Sequence, residues 1–157
     1  MKDSWIAQYK MVQGSRAVLL DYCDAITQAH FLAGHTGFGK GGSIRNLLVH
    51  IGQVYQYWIG EHALNREVQY PEYSDIAIVQ DCRVFFAHVN TLMNEFISRF
   101  ADTPDAVLTS IRNNKETSTT AFEVFTHVIT HEFHHKGQVL SISRQLGYIP
   151  VDTDVIR

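Results

Sequence analysis

A chain of 157 residues has room for one domain with a substantial core. Its 45% hydrophobic and 18% charged residues lie far from the composition of a disordered chain. A net charge of -3 and a pI near 6.3 argue against a protein that grips nucleic-acid phosphates, which needs a basic face. The first residues, MKDSWIAQYKMVQ, carry charge and lack an apolar leader core. No later stretch reaches the roughly 18 apolar residues of a membrane span. A cytoplasmic location, with no membrane or nucleic-acid partner, is the expectation.

The first predicted helix covers about residues 4–31, where Trp5, Tyr9, Val12, Leu19, Leu20, Cys23 and Ile26 recur at three-and-four spacing. GHTGFGKGGS then punctuates the chain as a loop, and Ser43 is placed to cap the next helix. That second helix should span residues 44–65, with Leu47, Leu48, Ile51, Val54, Tyr55, Trp58 and Ile59 on its apolar side and His50 among them. Pro71 and Ser74 precede a third helix over residues 75–100, the longest amphipathic run. Pro104 ends it. VLTSI, the pair Asn113-Asn114 and the following STT suggest a small hairpin with capping oxygens. A fourth helix over residues 119–146, capped by Ser118 or Thr119, stops at Gly147 with Pro150 beyond. Four long amphipathic segments predict an all-α, single-domain four-helix bundle, with a hairpin or irregular segment before the last helix.

Gly34, Gly39 and Lys40 nearly satisfy the phosphate-loop pattern. Gly41 stands where a hydroxyl is needed, and the loop follows a helix and not a strand. A connection between helices, or a lid beside a pocket, is the better reading. Cys23 and Cys82 fall on separate predicted helices and read as small buried hydrophobes.

Nine histidines are present, and His127, His131, His134 and His135 fall within nine residues. Residues four apart on a helix lie about 40° apart on one face, so His131 and His135 can converge on one ion, as histidine pairs do in zinc enzymes. His50, mid-helix on an apolar face, is the best third donor. His127 and His131 have the same spacing, and spacing does not choose between the pairs. His134 reads as a rim group, and His30, His35, His62 and His88 as core or surface residues. Three imidazoles leave coordination positions open, which favours catalysis over a closed structural site. With no cysteine near the cluster, thiolate chemistry would require an external thiol. Glu132 points away from the pair by about 100° and is not read as a base. Tyr55, Tyr57 and Trp58 are candidate lining groups or core.

SIRNLLVHIGQVYQYWI (43–59) and THVITHEFHHKGQVLSISRQLGY (126–148) resemble the second and last helices of the DinB-like proteins. In that pattern a single ligand histidine falls on His50, and a pair four apart on His131 and His135, followed by Lys136, Gly137 and Gln138. The resemblance implies the metal set His50, His131 and His135, zinc or nickel as the divalent ion, an up-down-down-up bundle, and a homodimer. It further implies metal-dependent, thiol-dependent transfer or hydrolysis on a small-molecule substrate, with a small thiol as cosubstrate. The competing expectation is a non-catalytic metal-binding stress-response or interaction module.

Overall fold

The computed structural model describes residues 2–34 and 37–157; His35 lies outside them. Four long helical segments form a bundle: α1 (Lys2–Cys23), α3 (Ile44–Tyr55) with its continuation, α4 (Val79–Phe100) and α5 (Ala121–Gln145). A short α2 (Gln28–Leu32) follows α1. α1 packs on α4 and α5, and α3 packs on the same two helices from the other side.

The first helix is shorter than its periodicity predicts. After Cys23 the chain tightens through the bonds from Ala25 N to Tyr22 O and from Ile26 N to Cys23 O. Thr27 then adopts an extended conformation and caps α2 by accepting from His30 N. A threonine hydroxyl that bonds a nearby backbone N–H offers the chain an alternative to continuing the helix. Ser43 caps α3 as predicted, accepting from Asn46 N at 2.9 Å.

The predicted second helix is α-helical only to Tyr55; Gln56–Ala63 continues as a π-helix. Periodicity sees one apolar face in both cases and cannot separate a π turn from an α turn. The third predicted helix starts at Val79, preceded by a 3₁₀ turn over Tyr73–Asp75. The hairpin forms from β1 (Val107–Arg112) and β2 (Lys115–Thr120), antiparallel, with Arg112 opposite Lys115. Asn113 and Asn114 both have positive φ, 50° and 60°, as the two-residue turn that matches strand twist requires. The STT segment is thus strand, and the cap of α5 is Thr120, whose hydroxyl accepts from Glu123 N while the Glu123 carboxylate takes Thr120 N. His62 is a satisfied core histidine that fastens the hairpin to the π-helix. Its Nδ1 bonds Ser110 Oγ at 2.5 Å and its Nε2 bonds Thr119 Oγ1 at 2.8 Å.

Apolar packing supplies most of the interior. Trp5 stacks on Phe125 at 4.4 Å between ring centroids. At Gly52 the helices α3 and α4 approach so closely that a β-carbon would sit 2.2 Å from the Phe85 ring. Cys23 and Cys82 are free and buried, as expected.

Charged side chains also lie on these apolar stripes. Glu132 is fully buried, and Arg16 grips it with two bonds of 2.9 and 2.7 Å. Tyr55 donates to the same carboxylate at 2.6 Å, and Lys136 Nζ lies 3.0 Å from it. Arg16 also reaches Asn90, which accepts from Tyr9 as well. Lys136 donates to Ser15, whose hydroxyl donates in turn to the carbonyl of Thr153. Burial by itself would raise the Glu132 carboxyl; the Arg16 and Lys136 charges, with the bonds from Arg16 and Tyr55, outweigh it and hold the group at about 2. All four long helices and the C-terminal tail meet in this network.

Removing one partner of a buried ion pair leaves the others uncompensated, so Glu132→Gln should lower unfolding free energy by about 3–5 kcal/mol in urea denaturation. A loss below about 1 kcal/mol would show that Arg16 and Lys136 are hydrated in the folded protein.

Candidate metal centre

Glu132 and Lys136 are four apart on α5, and so are His131 and His135, one residue behind each. One residue is about 100° of helix rotation, so with the charged pair turned towards α1, the histidine pair faces α3. His50 projects from α3 to meet it. The three rings stand at 4.4 to 5.0 Å between centroids and steeply inclined to one another. Their ligand atoms all lie within 4.8 Å of one another, an arrangement that could hold a metal ion. All three side chains are half-buried, so the cluster sits at the edge of the bundle and not in its dry centre.

Two details test whether these groups suit a cation. His135 Nδ1 lies 2.7 Å from Gln138 Oε1. A carbonyl oxygen only accepts, so Nδ1 carries the proton and Nε2 presents a lone pair. That Nε2 is 3.0 Å from His131 Nε2, so without an ion a proton on His131 Nε2 closes the contact, and with one both nitrogens can present lone pairs to it. Two nitrogen donors on a tetrahedral ion at about 2.0–2.1 Å stand about 3.3 Å apart, which the His131–His135 pair approaches, while the group with His50 spans up to 4.8 Å. Among the described residues His131 Nδ1 is buried without a partner, so no protein group fixes the His131 tautomer. The donor set therefore fits a borderline divalent ion.

The rings are held neutral, as metal ligands must be. Burial, then the neighbouring His135 and Lys40, lowers His50 to about 4. Burial and the surrounding histidines lower His131 to about 3. Burial also lowers His135, against the opposing effect of Gln138. Lys40 acts on both His50 and His135, which brings the glycine-rich loop beside the site. There Gly41 and Gly42 take φ of 78° and 63°, a conformation open to glycine at little cost.

The other predicted residues fall as follows. His127 lies 5.7 Å from His131 between ring centroids and 5.1 Å from Trp58; it is outside the close group. His134 is exposed and bonded to Gln138 Nε2 at 3.2 Å, a rim residue. Glu132 turns away, as its helical position predicts. Tyr55 is not a lining group, because its hydroxyl is sealed against Glu132. Tyr57 lies under Arg112, at 4.7 Å, and Trp58 packs between His62 and His127. Gln138 escaped the residue-by-residue reading, although its i+3 spacing from His135 and i+4 spacing from His134 were the signal.

The DinB family profile matches residues 1–157, and the chain belongs to the DinB family. No curated protein matches it. Among the described residues no helix is long and apolar enough to cross a membrane.

Unfolded histidines protonate near 6.5, whereas folded His50 and His131 resist protonation to about 4 and 3. Within that window the unfolded chain binds more protons, so stability falls as pH falls. In chelator-treated protein the urea midpoint should therefore decline from pH 6.5 towards 4, and His131→Gln should flatten the decline. An unchanged slope in the variant would mean that the His131 ring titrates normally.

Proposed function

We propose that His50, His131 and His135 bind one divalent cation, zinc or nickel, and that the protein is a metal-dependent enzyme acting on a small molecule by thiol-dependent transfer or hydrolysis. The observation that carries this reading is the convergence of three neutral imidazoles at a half-exposed edge, with Gln138 aiming His135 Nε2 inward. Three protein donors leave positions that water or substrate can take. When bound, such an ion supplies Lewis acidity, lowering the pKa of a coordinated water or thiol so that a nucleophile exists at neutral pH.

The chain's own residues do the rest. His50 reaches from α3 and the pair from α5, so the site depends on the packing of two helices. Gln138 fixes the tautomer and ring orientation of His135. Lys40 adds positive charge beside the rings, which favours an anionic ligand such as a thiolate. Glu132 is committed to Arg16, Tyr55 and Lys136 and takes no part as a base.

Elemental analysis of the purified protein should find about one equivalent of a divalent transition metal, lost in both His50→Ala and His131→Ala. Unchanged metal content in either variant would sink the three-histidine site. Gln138→Ala should keep the fold and weaken metal affinity by roughly 10- to 100-fold. In the cobalt-substituted protein an added thiol should shift the visible absorption; a spectrum indifferent to thiol indicates a closed, structural ion.

A further inference from the structure

Among the described residues four non-glycine side chains sit on left-handed backbone: Lys40, Asn65, Asn113 and Asn114. Asparagine tolerates that region because its short amide can bond the local backbone, whereas a long side chain there carries a steric cost with no such return. Lys40, with φ 59°, opens a left-handed run continued by Gly41 and Gly42. Gly42 N closes the turn on Gly39 O at 3.0 Å. Glycine or asparagine would adopt this backbone more cheaply, and residues kept in a costly conformation cluster where the side chain has a task.

The loop holds that lysine in one place. Asn46 Nδ2 donates to the Lys40 carbonyl at 2.7 Å. Arg45 Nε donates to Asn46 Oδ1 at 2.6 Å, which turns the amide nitrogen towards the loop, and Arg45 is itself anchored on the carbonyls of Tyr73 and Ile76. A β-carbon on Gly41 would meet Asn46 Nδ2 at 2.8 Å, so the close approach needs glycine. Asn46 and His50 are four apart on α3, which puts the anchor of Lys40 one turn, about 5.4 Å, before His50 on the same face. From there the ammonium acts on His50 of α3 and on His135 of α5 alike. Among the described residues it enters no ion pair.

Charge balance points to the ligand. The charges that act on His50 and His135 come from histidines and Lys40, with no carboxylate among them. Three neutral imidazoles leave both charges of a divalent ion uncompensated, and Lys40 adds a third. A thiolate in an open position cancels one of them, so a second negative charge on the same molecule, placed beside Lys40, is favoured.

Building on the thiol-dependent metal reading above, we propose that Lys40 selects the thiol: its ammonium pairs with a carboxylate carried by that thiol, while the sulfur, its proton released to solvent, takes an open position at His50, His131 and His135. The ligand class is a small mercapto-carboxylate, and the glycine-rich loop is the element that recognises it.

The probe is 3-mercaptopropionate, with its methyl ester as the uncharged control, each titrated into the cobalt-substituted full chain and followed by visible absorption. Because the two thiols ionise differently, the quantity read is the acid-to-ester affinity ratio, compared between variants. Lys40→Gln should lower that ratio about three- to tenfold, the range for one charge pair at a half-exposed site. Lys40→Arg, which keeps the charge, should retain most of it. Asn46→Ala, which unfastens the loop with the lysine still present, should lower it as well. A ratio unchanged in Lys40→Gln would overturn the proposal and leave the metal site standing. A protein that takes up no cobalt, or whose spectrum ignores both thiols, would overturn the metal reading and this inference with it.

Discussion

The bundle is organised around one buried carboxylate. Glu132, on α5, takes two bonds from Arg16 of α1, one from Tyr55 of α3 and the ammonium of Lys136 from its own helix. Asn90 of α4 joins through Arg16 and Tyr9. Apolar contacts alone would let four amphipathic helices slide or rotate by a small angle at little cost. A fixed fork of guanidinium on carboxylate tolerates much less, because each displaced bond strands a charge in a medium that solvates it poorly. The network sets the rotation of α5 about its own axis.

That rotation matters for the histidines. His131 and His135 follow the same four-residue spacing as Glu132 and Lys136, one position behind. Locking the ionic pair towards α1 turns the imidazole pair towards α3, where His50 waits. Structural charge and candidate ligands are thus interleaved on one helix, with different neighbours fixing each. Gln138 completes the arrangement by choosing which nitrogen of His135 faces the cluster.

α3 and its continuation serve two places at once. One flank carries His50 to α5; further along, the π-helical stretch begins with Gln56 against the segment 66–71. Gly52, between them, allows α4 to come close enough for the Phe85 ring to lie against the α3 backbone. A wider residue at Gly52 would displace Phe85.

Periodicity and spacing determined much by themselves. The four long helices, the hairpin with its Asn113-Asn114 turn, the Ser43 cap and the histidine-bearing faces were all local patterns, and local patterns are legible in a sequence. Spacing left His127 and His135 as equal partners for His131, and the resemblance, not the geometry of a lone helix, favoured His135. What only the tertiary structure decided are the long-range meetings. Arg16 with Glu132 joins residues 116 apart in sequence, the locally capped break at Thr27 is fastened by the hydroxyl of Tyr148, and Tyr55 is buried against Glu132 of another helix. Charged residues on apolar stripes were visible in the sequence as anomalies. Their partners were not, because pairing is a property of how helices pack and not of the helix that carries the charge.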